Sequence, residues 1–136
     1  MCIRDSAPDV REFLSAPGRY ATLATIDPDG SPLQAVLWYD LLDEGGILLN
    51  SLDGRRWPAN LRRDPRASIT VEDGYDYVSM RGTVEYLHEG EAASRDIERL
   101  ARRYASGADL ERRLVGFRGQ HRVSFRFVPR SVLRHS

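Results

Sequence analysis

The sequence predicts a mainly β, α+β domain of about six antiparallel strands with helices inserted late. Three observations carry that reading. The stretch from Tyr20 to Ser51 holds three strand-like runs parted by short turns, Asp27-Pro28-Asp29-Gly30 and Asp43-Glu44-Gly45-Gly46. Only one long segment, Glu91 to Ala105, has helical periodicity. The chain then closes on Arg122 to Leu133, with Val123, Phe125 and Phe127 on one face. Short turns favour antiparallel pairing, and six such strands close into a small barrel that hides its edges.

Along the chain, Val10 to Leu14 reads as a short helix with Asp9 as N-cap and Pro17-Gly18 as the stop. Tyr20 to Ile26 is rich in strand formers. Leu33 to Tyr39 is apolar on both faces and reads as a buried strand; Ile47 to Ser51 follows, completing a meander. Pro58 fits the first position of a short helix, and Pro65 ends it. Ala67 to Val71 and Tyr77 to Leu87 are the next strands. Gly82 inside the latter marks a bulge or a close backbone approach. In the long helix, Ala93, Ile97, Leu100, Ala101 and Tyr104 form one face, with Gly107 as its stop. Asp109 to Val115 adds one or two further turns.

Bulk properties narrow the function. A chain of 136 residues fits one domain able to bury a core without staples. The opening MCIRDS leads into no element and reads as a non-native or disordered leader over 1–6, leaving 7–136 as the domain. Twenty arginines, no lysine and twenty acids give zero net charge, which argues against a nucleic-acid partner. Cys2 is alone, so there is neither a disulfide framework nor a zinc pattern. No apolar run approaches the roughly 20 residues of a membrane span, and no signal peptide opens the chain, so a cytoplasmic protein is expected.

The segment DGRRWPANLRRDPRAS, Asp53 to Ser68, concentrates Arg55, Arg56, Arg62, Arg63 and Arg66. A helix starting there would aim free N–H groups toward Arg55, Arg56, Asn50 and Ser51, an arrangement suited to a phosphate. The competing reading is a solvated arginine surface. Trp57 reads as a core or interface anchor, and Trp38 as core or as a wall of a flat aromatic pocket. No paired carboxylates, nucleophile elbow or placed histidine names a catalytic acid, which fits a protein whose cofactor carries the chemistry.

The runs LATIDPDGSPLQAVLWYD, NSLDGRRWPANLRRDPRAS and RGTVEYL, with LARRY and the closing Val-Pro-Arg, resemble the pyridoxamine 5′-phosphate oxidase-like superfamily. They are most similar to its coenzyme F420-dependent branch, over about Val10 to Leu133. The resemblance implies an FMN-binding-like split β-barrel and a homodimer holding a flavin or deazaflavin between subunits. It implies that Val36, Leu37 and Trp38 flank the ring, and that Asn50 and Ser51 contact the cofactor. Arg55, Arg56 and Asn60 would hold its phosphate or tail carboxylates, and Tyr75 and Tyr77 would reach in from the other subunit. Trp57, also in the candidate set, replaces a tail-contacting lysine of many relatives, leaving Arg55 and Arg56 as the cationic pair. The implied activity is hydride transfer from F420H2 to an electron-poor small molecule. FMN chemistry, a non-catalytic carrier and an anion- or nucleic-acid-binding barrel are the alternatives.

Overall fold

The computed structural model describes residues 8–136; the expected leader over 1–6 lies outside the described residues. The described residues form four helices and seven strands, in the order α1 (Pro8–Ser15), β1 (Ala21–Ile26), β2 (Pro32–Leu37), β3 (Asp40–Leu41), β4 (Ile47–Leu52), α2 (Arg56–Arg63), β5 (Arg66–Asp73), β6 (Asp76–Glu89), α3 (Glu91–Tyr104), α4 (Gly107–Phe117) and β7 (Arg122–His135). The strands form one antiparallel sheet in the order β2-β1-β5-β6-β7-β4-β3, which does not close. This architecture is that of a split barrel.

Several expectations need correction. Beside the six expected strands stands the two-residue β3, too short to show a period. The first three strands are no meander. β2 pairs with β1, but β4 pairs with β7, so β2 and β4 lie toward opposite ends of the sheet. Nor is β2 buried on both faces: Pro32, Gln34 and Val36 are exposed, Val36 at 70%. It is an edge strand whose outer face is left uncovered by the described residues. The strand buried throughout is β4 between Ile47 and Ser51. Its one face meets the main core, and Leu48 on the other meets Leu42, Ile97 and Leu100.

Asp9 lies inside the first turn of α1 rather than before it. α2 starts at Arg56, which makes Pro58 the third helical residue. Proline is tolerated there because that N–H also lacks an intrahelical acceptor. Pro65 follows the C-cap Asp64, where the helix ends as expected. Gly107 opens α4 at φ +59 instead of stopping α3; extended Ala105 has already ended that helix.

Gly82 fulfils its sequence reading. The β6·β7 register shifts between Arg81 and Gly82, and an added Cβ would sit 2.1 Å from the Val128 carbonyl oxygen. α3 presents Ala93, Ile97, Leu100 and Ala101 to the sheet, the expected face, with Tyr104 half-buried at its end.

Candidate functional site

α2 is docked on β1 through one carboxylate. Asp27, directly after β1, is 7% exposed. Arg56 donates to it from Nε at 3.0 Å and from Nη2 at 2.6 Å. Asn60 donates to its Oδ1 at 2.9 Å and to Thr25 Oγ1 at 3.1 Å. Arg63 donates to Asn60 Oδ1 at 3.3 Å and to the Ile26 backbone carbonyl. These bonds, that from Asn60 first, hold the Asp27 pKa below the ordinary carboxylate range despite burial. A depressed carboxylate stabilises the fold above its unfolded pKa of about 4, and this contribution disappears as pH falls through the folded value. Asp27→Asn is therefore expected to lower the unfolding midpoint at pH 7, with the difference from wild type shrinking below about pH 4. Thermal unfolding from pH 2 to 7 checks this; a constant difference would contradict it.

The arginine segment resolves into individual partners. Arg62 stands 3.6 Å from Asp53 and 3.4 Å from Glu89, and His121 joins the same two acids. Arg66 grips Asp64 with bonds of 3.1 and 2.8 Å, which brings that acid down to about 2. Arg56 and Arg63 belong to the Asp27 cluster. Arg55 alone of the five has no ion-pair or side-chain hydrogen-bond partner among the described residues. It is the N-cap of α2 and supplies no side-chain cap, so the first N–H groups of the helix keep their donor capacity.

Leu52, at the end of β4 and three residues before Arg55, pairs with Arg122 at the start of β7, which brings Arg122 near Arg55. The Arg122 guanidinium is held by neutral acceptors only: Gln120 Oε1 at 3.0 and 2.8 Å, and Asn50 Oδ1 at 3.3 Å. It lies 5.0 Å over the Phe117 ring. Burial first, then the positive charge of Arg55, lowers its pKa to about 10. Two arginines with no carboxylate partner among the described residues form an anion-seeking pair. Behind them Asn50 donates at 2.9 Å to both the Ala93 carbonyl and Ser124 Oγ, and Ser124 donates to Asp96 at 2.7 Å. Asp96 in turn lies 2.6 Å from His88. This chain fixes Asn50 rigidly. Ser51, 3% exposed, donates to the Leu52 carbonyl.

The remaining expected residues lie elsewhere. The last residue of β1, Ile26, pairs with Pro32, so the start of α2 lies at the Pro32 end of β2. Val36 is four residues further along, roughly 13 Å of strand. Leu37 and Trp38 are half-buried. Trp38 stacks on Tyr104 with centroids 5.3 Å apart, with Arg113 over its ring at 5.2 Å. Trp57 is a core residue, 5% exposed and tilted against Phe125. Tyr75 is 94% exposed, and Tyr77 stacks on His135 at 5.0 Å. One chain thus assembles Asn50 and Arg55 with Arg122, and Arg56 and Asn60 with Asp27. It leaves Val36 and Tyr75 open to solvent. Sequence reasoning missed Asp27, hidden by its role in a turn, and Arg122, which no local pattern marks.

Residues 6–133 match the family model described as pyridoxamine 5′-phosphate oxidase. The chain belongs to the pyridoxamine 5′-phosphate oxidase family. Members of this family bind flavin or deazaflavin cofactors and are typically dimeric. The family member described here is similar to a conserved hypothetical protein of Mycobacterium tuberculosis, at 32% identity and TM-score 0.77, covering 95% of this chain and 83% of that one. An F420 reductase shares the fold at 23% identity and TM-score 0.69, covering 90% and 94%. So does the heme storage protein HutZ of Vibrio cholerae, at 20% identity and TM-score 0.69, covering 93% and 92%. No curated protein matches the chain. This family member has no described helix long and apolar enough to cross a membrane.

Proposed function

We propose that this chain is an F420H2-dependent oxidoreductase that reduces an electron-poor small molecule, acting as a homodimer in the cytoplasm. The observation that carries the reading is the Arg55–Arg122 pair at the uncapped start of α2, an exposed and a half-buried guanidinium with no carboxylate partner among the described residues. Such a site fits a phosphate or a tail carboxylate. In this reading Arg55 and Arg122 hold the anionic tail, and Asn50, fixed by Ser124, presents its neighbourhood to the linker. Val36 and the backbone of Leu37 and Trp38 offer the flat apolar edge for the ring, further along β2 from its Pro32 end. Tyr75 and Tyr77 reach the cofactor from the second subunit, which covers the exposed face of β2. When bound, the deazaflavin supplies the hydride. The protein's share is to orient the ring, neutralise the tail and exclude water. Arg56 and Asn60 act on the tail through Asp27, by holding α2 in place.

FMN is the second reading, favoured by one observation. Arg62 and Arg63, which would meet an acidic oligoglutamate tail, already have protein partners. A single phosphate needs only Arg55 and Arg122. Titration with F420 and with FMN, followed by tryptophan fluorescence and paired with light scattering, decides between them. Micromolar binding of F420 with weak FMN binding supports the proposal. A preference for FMN moves the chain to the second reading. Binding of neither, or a monomer at micromolar concentration, removes both.

A further inference from the structure

The outer face of the sheet carries an arginine that the cofactor reading does not use. Strand register sets Gln34, Ala24, Ser68, Arg81 and Ser131 in one row across β2, β1, β5, β6 and β7. Arg81 is thus flanked by two serines on adjacent strands, and it is exposed. Among the described residues it has no ion-pair or side-chain hydrogen-bond partner. Two hollows meet at it. One, of about 440 Å³, is lined by Ala24, Ile26, Arg66 and Ser68; the other, of about 520 Å³, by Ser68, Ser79, Ser131 and Leu133. Both include Arg81, and both are of the size that holds a small organic molecule.

The charge around this row is one-sided. Arg66 is already matched by Asp64, and Glu85 by Arg126 at 2.7 Å. The outward acid of β5 is Glu72, four residues beyond Ser68 and so roughly 13 Å along the strand. The intervening outward positions Thr70 and Ser79 carry hydroxyls. A dimer with two-fold symmetry would set this face against, or beside, an identical one. Covering a guanidinium without a counter-charge is unfavourable, so an acid-poor face demands an anion from elsewhere.

We propose that Arg81 is a specificity-determining residue that anchors an oxyanion, a carboxylate or phosphate, on the substrate. The inference rests on the oxidoreductase reading for the word substrate, but the anion site has its own test. The planar guanidinium fork binds such a group through two parallel bonds, and the hydroxyls of Ser68, Ser79 and Ser131 supply further donors. The site selects acidic small molecules over neutral ones of the same shape.

The test titrates the full chain with benzoate, phenyl phosphate and neutral benzamide, read by calorimetry and by the shift of the Arg81 Nε–H resonance. The expected result is at least tenfold tighter binding of an anionic probe than of benzamide. Arg81→Gln should abolish that preference, while Arg95→Gln, at an exposed arginine on α3, should retain it. Circular dichroism and light scattering establish that the variants keep fold and oligomeric state. Equal binding of charged and neutral probes, or a preference that survives Arg81→Gln, overturns the proposal. So does an Arg81→Gln chain that dissociates while keeping probe affinity, which would make Arg81 an interface residue. A tenfold loss of F420 or FMN affinity in Arg81→Gln overturns it too, because the anion would then be the cofactor's. If neither cofactor binds and the Arg81-dependent preference persists, the anion site stands and the oxidoreductase reading falls.

Discussion

Replacing Gly82 with alanine should destabilise the protein by about 3 kcal/mol, the upper part of the range for forced overpacking. The added Cβ would lie 2.1 Å from the Val128 carbonyl oxygen and 2.9 Å from its carbon. Both are backbone atoms, so no rotamer change relieves the clash. The site lies in the ladder between β6 and β7, which runs from Tyr77·His135 to Glu89·Val123 and joins the two halves of the sheet. Relief requires separating those strands at the bulge. For a domain of this size the loss corresponds to a fall in unfolding midpoint of roughly 10 °C. Thermal unfolding of Gly82→Ala checks it, and a midpoint within about 2 °C of wild type would contradict the close approach.

The second large effect separates two neighbouring arginines. Arg55→Ala removes a charge that has no ion-pair or side-chain hydrogen-bond partner among the described residues, so stability should stay within about 0.5 kcal/mol of wild type. Cofactor affinity should fall by roughly 10- to 100-fold, since a charge-assisted bond contributes about 1.5–3 kcal/mol. Arg56→Ala should behave the other way round. It breaks the two-bond grip on Asp27, so the unfolding midpoint falls, and affinity drops mainly through loosening of α2. Urea unfolding and cofactor titration on both variants give a two-by-two result. Equal affinity losses with equal stability would return Arg55 and Arg56 to the joint clamp implied by family resemblance. An unchanged affinity in Arg55→Ala would remove the Arg55–Arg122 site altogether.

The local elements were legible in the sequence because local physics sets them. Strand-forming residues marked Tyr20 to Ile26, alternation marked Arg122 to Leu133, the apolar face of Glu91 to Ala105 marked α3, and Pro65 marked the end of α2. Gly82 could be read as a close approach before its partner was known, since few other causes place glycine inside a long strand. The family resemblance extended that reading to the split barrel.

Pairing was not legible. Ile47 to Ser51 follows two strands at hairpin distance, yet its local pairing is limited to the two-residue β3, and along its length it pairs with β7, contributed by the far end of the chain. Burial of both its faces, against the main core and against α3, overrode the local preference for a meander. The same holds for the arginines. Sequence shows five in sixteen residues, but which are free depends on acids brought in from other segments: Asp27 for Arg56, Glu89 for Arg62. Only tertiary structure singled out Arg55, set Arg122 beside it, and placed Arg81 on the outer face, unmatched among the described residues. Charge neutralisation acts through space over a few ångströms, and sequence distance carries no record of it.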